Sequence, residues 1–277
     1  MAASTSTTLD DLFANIIAQA RFTAEENSLM AGLVTQYNIG SEAGKTIQVP
    51  KYPAITAAAL TEGTDMTSTT VSTSSVSITI GEVGAQVVLT DVAAMGAGNP
   101  AVELGTVLGN AIATKMDTDL ISLFSGFSSG LGGAGVEITV ADIFKAAATL
   151  RAAKAQGDVF AVVHPFQAYQ LKANLTNTFA NPNGGDIQNV AMAQSYVGTI
   201  AGIDIYESTN MTVDGSDDAI GGVFSREALA LVMKRDFEIE TQRDASLRAF
   251  ELNATAVYGT GELDDSYGVS LTFDAAL

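Results

Sequence analysis

The chain has 277 residues, of which 47% are apolar and only 16% charged, with 31 acidic residues against 13 basic ones and a formal net charge of −18. Such a charge excludes a nucleic-acid grip, because binding a phosphate backbone needs clustered Lys and Arg. The chain has no cysteine, which excludes disulfide scaffolds, thiolate nucleophiles and Cys-ligated zinc or iron–sulfur centres.

Apolar material of this amount suffices for a sizeable core, and the length allows one large domain or two small ones. The thin charged surface, rich in Ala, Gly, Ser and Thr, suits a protein that buries surface against copies of itself. The first twenty residues, MAASTSTTLDDLFANIIAQA, lack a basic stretch ahead of an apolar core, so a secretory signal is not expected. No apolar run approaches the ~20 residues that span a bilayer. The reading is a protein made in a cytoplasm, with no membrane partner.

Residues 1–8 are small and polar and read as flexible. Leu9, Leu12, Phe13, Ile16 and Ile17 recur at spacings of three and four, which predicts a short amphipathic helix over 9–20. Residues 21–43 read as an irregular arm with room for a second helical turn. KTIQVPKYPAI (45–55) and SVSITIGEVGAQVVLT (75–90) read as strands, with Val76, Ile78 and Ile80 alternating with polar residues. The Thr- and Ser-rich stretch between them makes a long two-stranded arm with a polar tip. An isolated two-stranded ribbon is marginal in water, so a neighbouring subunit is expected to support it.

Asn99 and Pro100 open a helix, with Pro in the first turn where its missing N–H costs nothing. Leu104, Leu108, Ile112, Met116, Leu120 and Leu123 give it a long apolar stripe, predicting roughly 25 residues and about 37 Å. Asp117 and Asp119 sit near its C-terminal end, where acids oppose the helix dipole, so a contact with another element or subunit is expected. GLGGAG (130–135) follows the helix as a flexible connector, and VEITV after it looks strand-like.

Thr139 to Asp142 forms a capping-box start for a helix running to Gln156, with Gly157 just past its end. VFAVVHP (159–165) is a buried strand, PFQAYQLKANL a helix, and 176–190 a polar loop. GIDIYES is a strand, NMTVDGSDD a loop, and AIGGVFSREALALVMKRDFEIETQ a strand–turn–strand. LRAFELNATAVYG and SYGVSLTFD close the chain as strands.

Candidate chemistry is thin. His164 is the sole histidine and ends an apolar strand before Pro165, which reads as a strand-end residue rather than a general base. GLGGAG lacks the strand–loop–helix setting of a phosphate cradle. DGSDD (214–218) and ELDD (262–265) offer oxygen ligands without the spacing of a calcium loop, and read as polar turns. KRDFEIETQRD (234–244) reads as a surface strand making inter-subunit ion pairs. No catalytic, cofactor-binding or metal-binding residue is assigned, and no cofactor.

The order of elements, rather than any one of them, carries a resemblance. ALTEGTDMT (59–67), the stretch 87–126 ending in DTDLISLFSG, VVHPFQAYQL (162–171) and VGTIAGIDIYES (197–208) resemble successive segments of the major capsid proteins of tailed bacteriophages. The resemblance implies an α+β chain with the Hong Kong-type phage capsid fold. Its parts would be an N-terminal arm (1–43) and an extended hairpin loop (44–91). A peripheral domain with the spine helix (92–138 and 226–277) and an axial domain (139–225) would follow. DTDLISLFSG would then be the end of the spine helix.

The resemblance implies a major head protein assembling into pentamers and hexamers of an icosahedral shell in the host cytoplasm, with expansion on DNA packaging. Implied partners are other copies of the chain, a separate scaffolding protein, a portal protein and a decoration protein, around double-stranded DNA that is enclosed without tight binding. The same fold serves encapsulin-like cellular compartments, which stays open as an alternative, with a hydrolase using the acidic loops more distant. Some capsid proteins cross-link a loop Lys to an Asn. Here Lys45 and Lys51 lie on the hairpin, its tip (56–74) has no Lys, and Asn253 lies in a C-terminal strand, so no cross-link is assigned.

Overall fold

The computed structural model describes residues 28–40, 44–53, 55–66, 68, 70–91, 100–178 and 196–276. The expected helix over 9–20, most of the arm, the Asn99 helix start and the loop beyond Thr178 lie outside the described residues.

The chain order is helix α1 (Leu29–Leu33), strands β1 (Thr35–Asn38), β2 (Thr46–Lys51), β3 (Ser74–Thr79) and β4 (Gly81–Thr90), then the long helix α2 (Pro100–Ser122), which ends in a 3-10 turn at Leu123–Gly126. Next come β5 (Gly130–Gly132), α3 (Val140–Ala152), β6 (Val159–Val163), α4 (Pro165–Thr178), β7 (Tyr196–Ile200) and β8 (Ile203–Glu207). β9 (Asp218–Ser225), β10 (Leu229–Asp244), β11 (Ala249–Glu262) and β12 (Gly268–Asp274) complete it.

A four-stranded sheet runs β1-β10-β11-β4, a six-stranded sheet runs β5-β12-β9-β6-β8-β7, and β2 and β3 form a ribbon of their own. The strand expected over 75–90 is therefore two strands. β3 pairs with β2, and after Ile80 the chain changes partner and β4 pairs with β11. β12 belongs to the six-stranded sheet beside β9, with β5 on its other side. The 130–135 glycine stretch is thus not a flexible connector. Gly132 (φ 97°) lies so close to β12 that a Cβ there would stand 2.1 Å from the Thr272 carbonyl oxygen. VEITV forms no strand, and its last residue opens α3.

α2 has 23 residues, close to the expected length. Leu108, Ile112 and Leu120 are buried, with Leu104, Met116 and Leu123 packed beside them against the inward side chains of β4 and β11, including Val83, Val87, Leu252 and Ala256. β4 alternates half-buried and exposed residues through this contact, as a sheet with one wet face requires.

The six-stranded sheet is buried on both faces around β6. Ala161 and Val163 face a core built with Ile143, Leu150 and Leu171 of α3 and α4. Phe160 and Val162 face the cluster containing Phe124, Phe127 and Phe224. Phe124, in DTDLISLFSG, is fully buried against Phe224 at 5.3 Å between ring centres. Gly222 leaves the space, since a Cβ there would stand 2.8 Å from the Phe124 ring.

The end of α3 corrects the sequence reading. The helix stops at Ala152 rather than Gln156. Lys154 takes a left-handed conformation (φ 59°), and its N–H bonds the Arg151 carbonyl while the Ala155 N–H bonds that of Leu150. This is a Schellman closure with Lys at the position glycine usually fills; Gly157 merely follows it.

Candidate assembly interface

Asp117 is 1% exposed inside α2. Its carboxylate accepts hydrogen bonds from the Ser28 hydroxyl (3.2 Å), the Leu29 N–H (3.2 Å), the Met30 N–H (3.3 Å) and the Asn210 amide (3.4 Å). The contact expected for Asp117 is with α1 and the 208–217 loop of the same chain. One carboxylate thereby fixes where the N-terminal arm leaves the long helix. Burial pushes its pKa up, against the opposing pull of those donors. Asp119 accepts from the Tyr258 hydroxyl of β11 at 2.9 Å and from Lys115 at 2.6 Å. Burial first, and Asp119 second, raise the Tyr258 pKa.

The β2–β3 ribbon is rooted in a small apolar cluster. Ile78 and Ile80 pack with Ala230 and Val232, flanked by Ile47, Val76, Val257 and Leu263. β11 passes beneath without side chains at two points. A Cβ on Gly259 would stand 2.6 Å from the Thr79 carbonyl oxygen, and one on Gly261 would stand 2.6 Å from Ile78 Cγ1. At the far end of the root, Lys51 pairs with Asp264 at 2.6 Å. Beyond it Tyr52, Ile55, Leu60, Met66 and Val71 are all exposed.

The second sheet is held by side-chain amides of α4 that sequence reasoning missed. The Gln167 side chain, fully buried on α4, donates to the Ala219 carbonyl (2.9 Å) and the Phe273 carbonyl (2.8 Å), and accepts from the His164 N–H (3.1 Å). Gln170 accepts from the Ile138 N–H, and Asn174 donates to the Ile138 carbonyl. The three residues sit at i, i+3 and i+7 of one helix face, which was the available signal.

His164 follows β6 directly and is half-buried, with its Nδ1 accepting from the Phe166 N–H at 3.4 Å. Burial lowers its pKa. DGSDD is a turn in which Asp214 accepts from the Ser216 and Asp218 N–H groups, while buried Asp218 receives the Gly135 N–H. In ELDD, Asp265 accepts from the Ser128 N–H and hydroxyl. Burial, then the neighbouring Asp265 and Asp264, push Glu262 up. Two arginines of the charged stretch 234–244 find acids within the chain. Arg235 meets Glu82 and Glu238, and Arg243 grips Asp91 through two 2.7 Å bonds while lying over Phe250. Among the described residues no group of three or more His, Asp or Glu is placed to hold a metal ion.

The geometry therefore joins two sheets and a long helix through buried polar groups, with a hairpin packed on them whose tip exposes five large apolar side chains. The sequence matches the phage capsid protein family over residues 73–270, more than half its length, and the chain belongs to that family. Its role is accordingly that of a phage capsid protein.

Solved structures share the Hong Kong-type fold. The capsid structure of cyanophage P-SCSP1u has a TM-score of 0.69 at 19% identity over 88% of this chain and 87% of that one. Mycobacterium phage Che8 gives 0.67 at 19% identity over 83% and 85%. A virus-like particle from Pyrococcus furiosus gives 0.65 at 11% identity over 94% and 98%. No curated protein matches the sequence.

Proposed function

We propose that copies of this chain associate head-to-tail around rotational axes into pentamers and hexamers, which close into the head shell around double-stranded DNA. The observation that carries this reading is the hairpin. A root packed on the body carries a tip with five exposed large apolar side chains, which a neighbouring copy would cover. The tip lies over a neighbouring subunit, and the N-terminal arm reaches another. The region around 139–225 lines the capsomer centre, and the segments around 92–138 and 226–277 form the periphery. Obligate interfaces of this type bury ~2,000–5,000 Å² in total.

The net charge of −18 keeps the lumen face from holding DNA, so packaging is not stalled. A lumen face mapped as net positive would refute this. A separate scaffolding protein, a portal and a decoration protein are the further partners, assembly takes place in the host cytoplasm, and the compact precursor expands on packaging. The role is geometric, with no catalytic step assigned to any residue.

Negative-stain electron microscopy with sedimentation velocity tests the proposal. Closed shells, or free pentamers and hexamers, are expected, and shell diameter separates a phage head from a small cellular compartment. A stable monomer or dimer that forms nothing larger, even with a candidate scaffold, would overturn it.

A further inference from the structure

We infer that the hairpin is clamped at its root and bends only beyond Lys51 and Ser74, so that assembly and expansion move the tip (residues 52–73) while residues 46–51 and 74–79 travel with the body.

Three observations converge on this boundary. First, the pairing of β2 with β3 runs from Thr46↔Thr79 to Lys51↔Ser74 and stops there; the described tip residues have no strand pairing. A ladder resists bending, so the chain yields where the ladder ends.

Second, the root is continuous with the body on both strands. β3 passes through Ile80 directly into β4, which pairs with β11 over ten residues, and the Ile80 N–H bonds the Lys45 carbonyl at 2.8 Å. Swinging the hairpin about its base would break this junction. It would also lift buried Ile78 (2% exposed) and Ile80 (6% exposed) off Ala230 and Val232. Gly259 and Gly261 allow the ribbon to sit that closely on β11.

Third, Lys51, in the last pair of the ladder, is tied to Asp264, and the Asp264 N–H is held by the Ala228 carbonyl at 3.3 Å in the turn after β11. The ion pair thus marks the outer limit of the clamp. Lys51 and Asp264 act as positioning residues for the direction in which the tip leaves the body. The tip's docking on a neighbour rests on the shell reading above; the clamp does not.

Hydrogen–deuterium exchange on the wild-type chain, as free subunit and as assembled shell, tests the clamp. In the free subunit, the hydrogen-bonded amides of 46–49 and 75–79 exchange at least about a hundredfold more slowly than those of 55–66. In the shell, 55–66 gains protection while the root keeps its own. Lys51→Met speeds exchange at the outer pairs near Ser74 and leaves Ile47 and Ile78 protected. A free-subunit root that exchanges as fast as the tip overturns the clamp, as does a root that loses protection on assembly or expansion. A chain that forms no shell while its free root stays protected refutes the shell reading and upholds the clamp.

Discussion

Asp117 shows how much one side chain decides. A carboxylate that is 1% exposed, with four donors and no cation among its hydrogen-bond partners, is tolerable because the donors substitute for water. Asp117→Ala leaves the Leu29 and Met30 N–H groups without their acceptor, and costs about 2–4 kcal/mol in denaturant unfolding of the free subunit. The charged form is disfavoured in the fold, since burial raises the pKa. The folded subunit therefore takes up a proton before the unfolded chain does as pH falls. Asp117's contribution is full below its unfolded value, about 3.9, and declines as pH rises through the folded pKa. The stability of wild type minus that of Asp117→Asn is therefore largest near pH 4 and shrinks towards pH 7. A difference flat across that range would sink the assignment.

At the scale of elements, backbone clearance is what joins the parts. Gly259 admits the hairpin root onto β11, and its neighbour there is a backbone carbonyl that cannot rotate away. Gly259→Ala is expected to cost roughly 2–4 kcal/mol by forcing the ribbon off its seat, read as lower denaturant resistance and faster amide exchange over 74–79. If exchange there is unchanged, Gly259 is not the seat. The end of α3 offers the opposite sign. Lys154 is strained at φ 59°, so Lys154→Gly relieves more strain than it adds chain entropy. A gain of about 0.5 kcal/mol is expected in thermal unfolding. A loss would mean that the Lys154 side chain makes a contact of greater value.

At the scale of the molecule, charge opposes assembly. Copies carrying −18 each repel at low ionic strength, and the repulsion between exposed charges is screened within about 10 Å at 0.1 M salt. Shell formation followed by light scattering is therefore faster at 0.5 M than at 0.05 M NaCl. The opposite order would mean that attractive ion pairs between subunits, rather than apolar surface, drive assembly. The pairs Arg243–Asp91 and Arg235–Glu82 do not enter this balance, because each closes within one chain.

Sequence alone determined the periodic parts of this protein. The α2 stripe, the capping Thr139 and Asp142, the β6 run and the C-terminal strands follow from local pattern, since each repeats a geometry that neighbouring residues share. The order of those parts already pointed to the capsid fold. Tertiary structure decided what depends on partners distant in the chain. The strand read as 75–90 divides at Ile80 because its halves find different partners, β2 and β11. The glycines at 130–132 form a strand rather than a connector because β12, about 140 residues later, lies alongside them. Asp117 and Gln167 look like an ill-placed acid and an ordinary helix amide until the fold brings α1, the 208–217 loop, β9 and β12 against them. Periodicity records which face of an element is apolar. It carries no record of which polar group will meet an unpaired N–H or carbonyl across the core, and those meetings hold α1 and the second sheet in place.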